Sequence, residues 1–310
     1  MKITIQPTED VLQSWIKNYV PTVDLFFIYQ DDLTLFQDYL RSVLVLPKKE
    51  FQQHSSYQNI QLVNSYEYWS IKDDYEYVIV AQPEWVTKLT NQKKKQLFAR
   101  QYELQRGLIF PLASFPNKEE VPIHYLAGIE SKVVVVQAYM WQELSTETRK
   151  EVLRLYAKEW ESDSSQLAPD TIHPSLGKYV NTFPADSGSN CLSTVLFAVT
   201  KQEWILTEWV HQETLRCGLQ MAGYEQIHTE TFQEGDIITF LDDHGTIQHA
   251  SYCLGNQLFF NKNGQTIFNP WKVVHLDELS KDWGRYKMVI YRVTEESFNA
   301  KNEAGHYESY

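Results

Sequence analysis

Cysteine is scarce in this chain of 310 residues. Cys191, Cys217 and Cys253 are too few for a disulfide framework, and their separations fit no metal motif. Reduced thiols in a cytoplasmic protein are the simplest expectation. Long apolar runs are missing too: nothing approaches the ~20 residues that span a bilayer. The first residues show no secretory pattern, so neither membrane nor export is expected. Positive charge is in deficit, with 28 Lys and Arg against 40 Asp and Glu, a net charge of −12. That balance argues against nucleic acid and anionic membrane surfaces as partners. The only basic run, Lys93 to Lys95, lies in a helical pattern and reads as a solvated helix face. There is no glycine-rich phosphate loop. His244 and His249 have no metal-ligand spacing, so no metal or cofactor is expected.

What is present belongs to a globular protein, with 43% hydrophobic and 22% charged residues. The length exceeds one ordinary core and points to two domains, residues 1–165 and 166–310. In the first, strand-like runs at Asp24 to Tyr29, Tyr75 to Ala81 and Lys132 to Ala138 alternate with helical patterns at Leu89 to Arg106 and Thr148 to Trp160. Thr148 and Glu151 have capping-box spacing. The reading is an α/β domain, with α+β as the alternative, and no chemical motif. Glu161 to Ser175, polar and carrying two prolines, reads as a linker. The second domain reads as α+β, helix first and antiparallel sheet after. Helices are expected at Asn190 to Thr200 and Glu203 to Ala222, and strands at Asp236 to Leu241, Thr246 to Leu254, Leu258 to Asn261 and Met288 to Val293.

Cys191 stands in the first turn of its expected helix, with Ser189 or Asn190 available as N-cap. The helix dipole and unpaired N–H groups there favour a thiolate and can stabilise an oxyanion beside the sulfur. His249 lies mid-strand on the face it shares with Ser251 and Cys253, opposite Ala250, Tyr252 and Leu254. From there an imidazole could point at a helix packed across the sheet and take a thiol proton. Asn261, on the next strand, could hold its second ring nitrogen. Register sets a condition. A plain two-residue turn puts His249 and Asn261 on opposite faces, whereas a three-residue loop or a bulge makes them diagonal neighbours.

These residues resemble those of the NlpC-type peptidases, papain-like cysteine enzymes that cleave peptidoglycan stem peptides. The resemblance covers roughly Ser175 to Val293. Tyr179-Val180 begins twelve positions before Cys191, Asn190 stands where the family has an acidic residue, and Gly235-Asp236 opens the first sheet strand. His249 is followed by Leu254-Gly255-Asn256, and Asn261 lies twelve positions after it. Two places depart from the pattern: Asn181-Thr182-Phe183 replaces Trp-Gly-Gly, and Leu192-Ser193 replaces Ser-Gly. The family's third residue is more often His.

The resemblance implies a papain-like fold, a catalytic triad of Cys191, His249 and Asn261, and an oxyanion or substrate-binding role for Tyr179 and Asn190. The expected activity is hydrolysis of an amide in a small peptide, with peptidoglycan-derived peptides as one such class. A thioesterase or acyltransferase using the same residues stays open, as does a binding protein that has lost turnover.

Overall fold

The computed structural model describes residues 2–67, 74–105, 108–160 and 164–294. Arg106 and Gly107, where the sequence places a helix end, and Glu161 to Asp163 of the expected linker lie outside the described residues. The chain divides into two compact units, 9–159 and a second made of 1–8 with 160–310. The first eight residues therefore belong with the C-terminal part. Lys2–Thr4 pairs antiparallel with Ser164–Gln166, a stretch the sequence reads as linker. Among the described residues, no helix is long and apolar enough to cross a membrane.

The unit 9–159 holds two three-stranded sheets. One places Tyr77–Ala81 between Asp24–Ile28 and Leu44–Pro47; the other places Val133–Val136 between Leu108–Pro111 and Leu126–Ala127. All these pairings are antiparallel, so the unit is α+β and not the expected α/β. Its long central helix, Asn91–Glu103, starts at Thr90, whose Oγ1 accepts the Lys93 N–H. The helix buries Leu97 and Phe98 and carries Gln101 into the core, where its amide binds both the N–H and C=O of Phe27. The basic run is not wholly solvated: Lys94 is buried, and Lys93 Nζ donates to the Leu35 carbonyl. The next long helix begins at Thr146, two residues before the position expected. Its cap is Ser145, whose Oγ accepts the Thr148 N–H, so Thr148 makes no capping box with Glu151.

The C-terminal unit is α+β, as read. A six-stranded antiparallel sheet runs in the order Trp271–His275, Leu258–Lys262, Ile247–Gly255, Ile237–Leu241, Lys287–Val293, Tyr224–Ile227. Alternation along these strands supplies two apolar faces. Ile237 and Ala250 pack with Leu192, Val195 and Leu196 of the helix Cys191–Thr200. Ile238, Phe240, Cys253 and Phe259 pack on the other side with Leu279 of the helix Leu276–Trp283. The expected helix over 203–222 is two pieces, a 3-10 turn Glu203–Thr207 and a helix Gln212–Met221. Between them Glu208 to His211 leaves the helical path. Gly188, at φ +135°, lies so close to that turn that a Cβ would sit 2.0 Å from the Thr207 carbonyl oxygen. Only glycine fits there, and this contact fixes the approach to the Cys191 helix.

Asp24 is the anomaly of the first unit. Its Oδ1 accepts the Ala138 N–H at 2.9 Å, but its Oδ2 is buried without a partner. Burial pushes the carboxyl up to about 7 from 3.8, opposed by the Ala138 bond. A folded-state value raised in this way gives stability that is full below about pH 3.8 and lost as pH rises through about 7. Asp24→Asn removes the charge and keeps the acceptor. Urea unfolding should show the variant more stable than wild type at pH 8, by a margin on the order of a few kcal/mol, and the margin should shrink toward pH 4. Parallel curves for the two proteins would contradict the account.

Candidate functional site

Asn190 is the N-cap of the Cys191 helix. Its Oδ1 accepts the Ser193 N–H at 2.8 Å, and Ser193 Oγ accepts the Asn190 N–H at 2.9 Å, a reciprocal capping box. Asn190 Nδ2 donates to the Val210 carbonyl and ties the helix start to the turn before the next helix. These bonds leave the N–H groups of Cys191 and Leu192 without intrahelical acceptors, as first-turn groups are. Asn190 lines the cleft beside Cys191, and its side-chain oxygen and one amide N–H are committed to holding the helix start.

His249 and Asn261 meet through a register shift. The turn is the two-residue kind, Asn256-Gln257, both with positive φ. Gly255 pairs with Leu258 and Cys253 with Phe259, so Leu254 is an extra residue bulged out of the ladder. The bulge puts Asn261 on the face of His249 and Ser251. Without it the two-residue turn would send Asn261 to the other face. His249 Nε2 lies 2.7 Å from Asn261 Oδ1, and Ser251 Oγ donates to the same oxygen at 2.7 Å. An amide oxygen only accepts, so Nε2 carries the proton and Nδ1 keeps the lone pair.

Trp283 covers the imidazole, its ring stacked on His249 with centroids 4.4 Å apart and planes within 2°. Its Nε1 donates to Asn263 Oδ1, which fixes the indole. Little in the sequence points to Trp283, because the helix over 276–283 carries a thin signal. That helix has only Leu276, Leu279 and Trp283 as apolar positions, at i, i+3, i+7 spacing.

Cys191, His249 and Trp283 line one cleft of about 350 Å³, with Trp209, Val210 and Gln248 among its other walls. The two reactive side chains reach it from opposite sides of the strand Ile247–Gly255. The Cys191 helix packs on the face of Ala250, and the helix facing His249 is the one that carries Trp283. This corrects the expectation that His249 points at the Cys191 helix across the sheet. Thiol and imidazole share the cleft and make no hydrogen bond to each other.

The electrostatics also differ from the expected thiolate. Burial pushes the Cys191 thiol up to about 11. The N–H groups of Ala250, Cys191 and Leu192 and the charge of Lys262 pull the other way without prevailing. Burial lowers His249 to about 4, against the Asn261 bond. The site at neutral pH is a thiol beside a neutral imidazole. Lys262, buried with its Nζ on the carbonyls of Thr266 and Asn269, closes the loop that brings Gly264 and Gln265 to the cleft.

Tyr179 is elsewhere. Its hydroxyl donates to Glu203 Oε2 at 3.0 Å, its ring packs on Phe197 and Trp271, and it does not line the cleft. An oxyanion role for Tyr179 is therefore dropped. Asp236 forms a bidentate ion pair with Arg292, with both contacts at 2.7 Å, and has a structural part at the strand start. No family model, curated protein or solved structure compared with this chain matches it.

Ser251→Ala tests the orienting bonds. Losing one neutral hydrogen bond should cost about 1 kcal/mol and leave the fold intact. Nitrogen-15 shifts of His249 should report Nε2–H in wild type and a tautomer mixture in Ser251→Ala. An unchanged tautomer in the variant would show that the hydroxyl does not set it.

Proposed function

We propose that the C-terminal unit is a papain-like, NlpC-type cysteine hydrolase acting on an amide bond in a small peptide. The observation that carries this reading is a single cleft lined by a helix N-terminal cysteine and a histidine whose far nitrogen is held by an asparagine. With substrate bound, Cys191 Sγ attacks the amide carbonyl and its proton passes to His249 Nδ1, a contact that thiol and imidazole do not make in the resting cleft. The carbonyl π electrons move to oxygen, which the N–H groups of Cys191 and Leu192 receive. Collapse of the adduct breaks the C–N bond, and the amine leaves with the proton from Nδ1. Water then attacks the thioester, Nδ1 takes its proton, and the acid and free thiol are released.

Proton transfer concerted with attack suits a neutral pair, because neither group has to be charged before substrate arrives. Asn261 and Trp283 hold the imidazole still in the meantime. A thioesterase or acyltransferase uses the same steps with a different leaving group or acceptor.

A second reading, a binding cleft without turnover, draws on one specific observation: the thiol pushed up to about 11 with no bond to the imidazole. Rates on a panel of acyl-peptide anilides and thioesters separate the two. The hydrolase reading expects Cys191→Ala to have no turnover and His249→Ala to lose roughly 10²–10⁴-fold. Asn261→Ala should lose less, and Asn261→His should recover part of the loss. Wild type indistinguishable from Cys191→Ala on every substrate would overturn the hydrolase reading in favour of binding.

A further inference from the structure

The fourteen residues lining the Cys191 cleft include no Asp, Glu, Lys or Arg, in a chain of net charge −12. Beside His211, Thr246 and His249, its polar walls hold four carboxamides, and three of these are already oriented: Asn190 by the helix it caps, and two more by bonds of their own. Gln212 Oε1 accepts the Ile247 N–H at 3.1 Å, which turns its Nε2 donors to other use. Gln248 Nε2 donates to Asp242 Oδ2 at 2.8 Å, which leaves its Oε1 as an acceptor. The acid that holds Gln248 is itself consumed: Asp242 Oδ1 accepts the N–H groups of His244 and Thr246, both at 2.9 Å. The cleft thus presents the Gln212 Nε2 donors, the Gln248 Oε1 acceptor and the Gln265 carboxamide, with the indoles of Trp209 and Trp283 in the same wall.

A group that both accepts and donates, is planar and carries no charge matches that lining: another amide. A carboxylate or ammonium entering it would lose water and find no Asp, Glu, Lys or Arg side chain in the lining to pair with. We propose that this cleft selects an uncharged amide-bearing segment, such as a capped peptide or a carboxamide side chain, and excludes segments charged next to the scissile bond. That this ligand is a substrate rests on the hydrolase reading; the selectivity does not.

Two near-isosteric reagents test it at pH 8, iodoacetamide and iodoacetate, with exposed Cys217 as the reference thiol in the same molecule. The iodoacetamide-to-iodoacetate rate ratio at Cys191 should exceed that at Cys217 by tenfold or more. Gln248→Lys, which puts a cation in the wall, should bring the Cys191 ratio down to that of Cys217. N-acetylglutaminamide at millimolar concentration should slow alkylation of Cys191, and its free-acid counterpart should not. Equal ratios at the two cysteines, protection by the acid as good as by the amide, or a Cys191 alkylated by neither reagent would each overturn the proposal. Loss of turnover on all substrates with the ratio retained would overturn only the hydrolase reading.

Discussion

Asn261 Oδ1 accepts two hydrogen bonds, from His249 Nε2 and from Ser251 Oγ, and the candidate site depends on that convergence. An acceptor with two donors cannot turn over without orphaning both in a buried place, so the imidazole has one tautomer and one orientation. The convergence needs three side chains on one face of two adjacent strands. The extra residue at Leu254 makes that possible across a two-residue turn. The stacked indole of Trp283 then closes the remaining face of the ring.

Burial sets the charge state. Both members of the pair are pushed toward neutrality, the thiol up to about 11 and the imidazole down to about 4. For His249 the folded value lies below the ordinary 6.5, so its contribution to stability is present above about pH 6.5 and lost as pH falls through about 4. A helix N-terminus gives a thiol only partial stabilisation, and a half-buried sulfur held against the sheet loses more solvation than those N–H groups return. The expectation of a thiolate from helix position alone left out the sheet against which the sulfur rests.

Much of the C-terminal unit is readable from local pattern. The helix at Cys191 and the strands of His249 and Asn261 follow from capping and alternation, and counting residues around the turn gives the condition, a three-residue loop or a bulge, under which the two side chains share a face. Other features depend on distant parts of the chain. Trp283 reaches His249 from a short helix with three apolar residues, a signal too thin to separate from a loop. Trp209, Val210 and His211 wall the cleft because the helical pattern after Glu203 breaks at Glu208. Tyr179 sits in the right interval before Cys191, but interval does not give direction, and its hydroxyl finds Glu203. In the first unit, alternating strand and helix patterns resemble parallel α/β order, and only the pairing partners reveal antiparallel sheets.

The central claim is that Cys191 is a nucleophile served by His249. Its most direct test is the mass-spectrometric location of acyl groups after brief exposure to an uncharged acyl thioester, in wild type and in His249→Ala. The account predicts an adduct on Cys191 that forms faster than on exposed Cys217 in wild type, and falls to or below the Cys217 rate in the variant. Acylation of Cys191 at the same rate with and without His249, or of Cys217 alone, would contradict it.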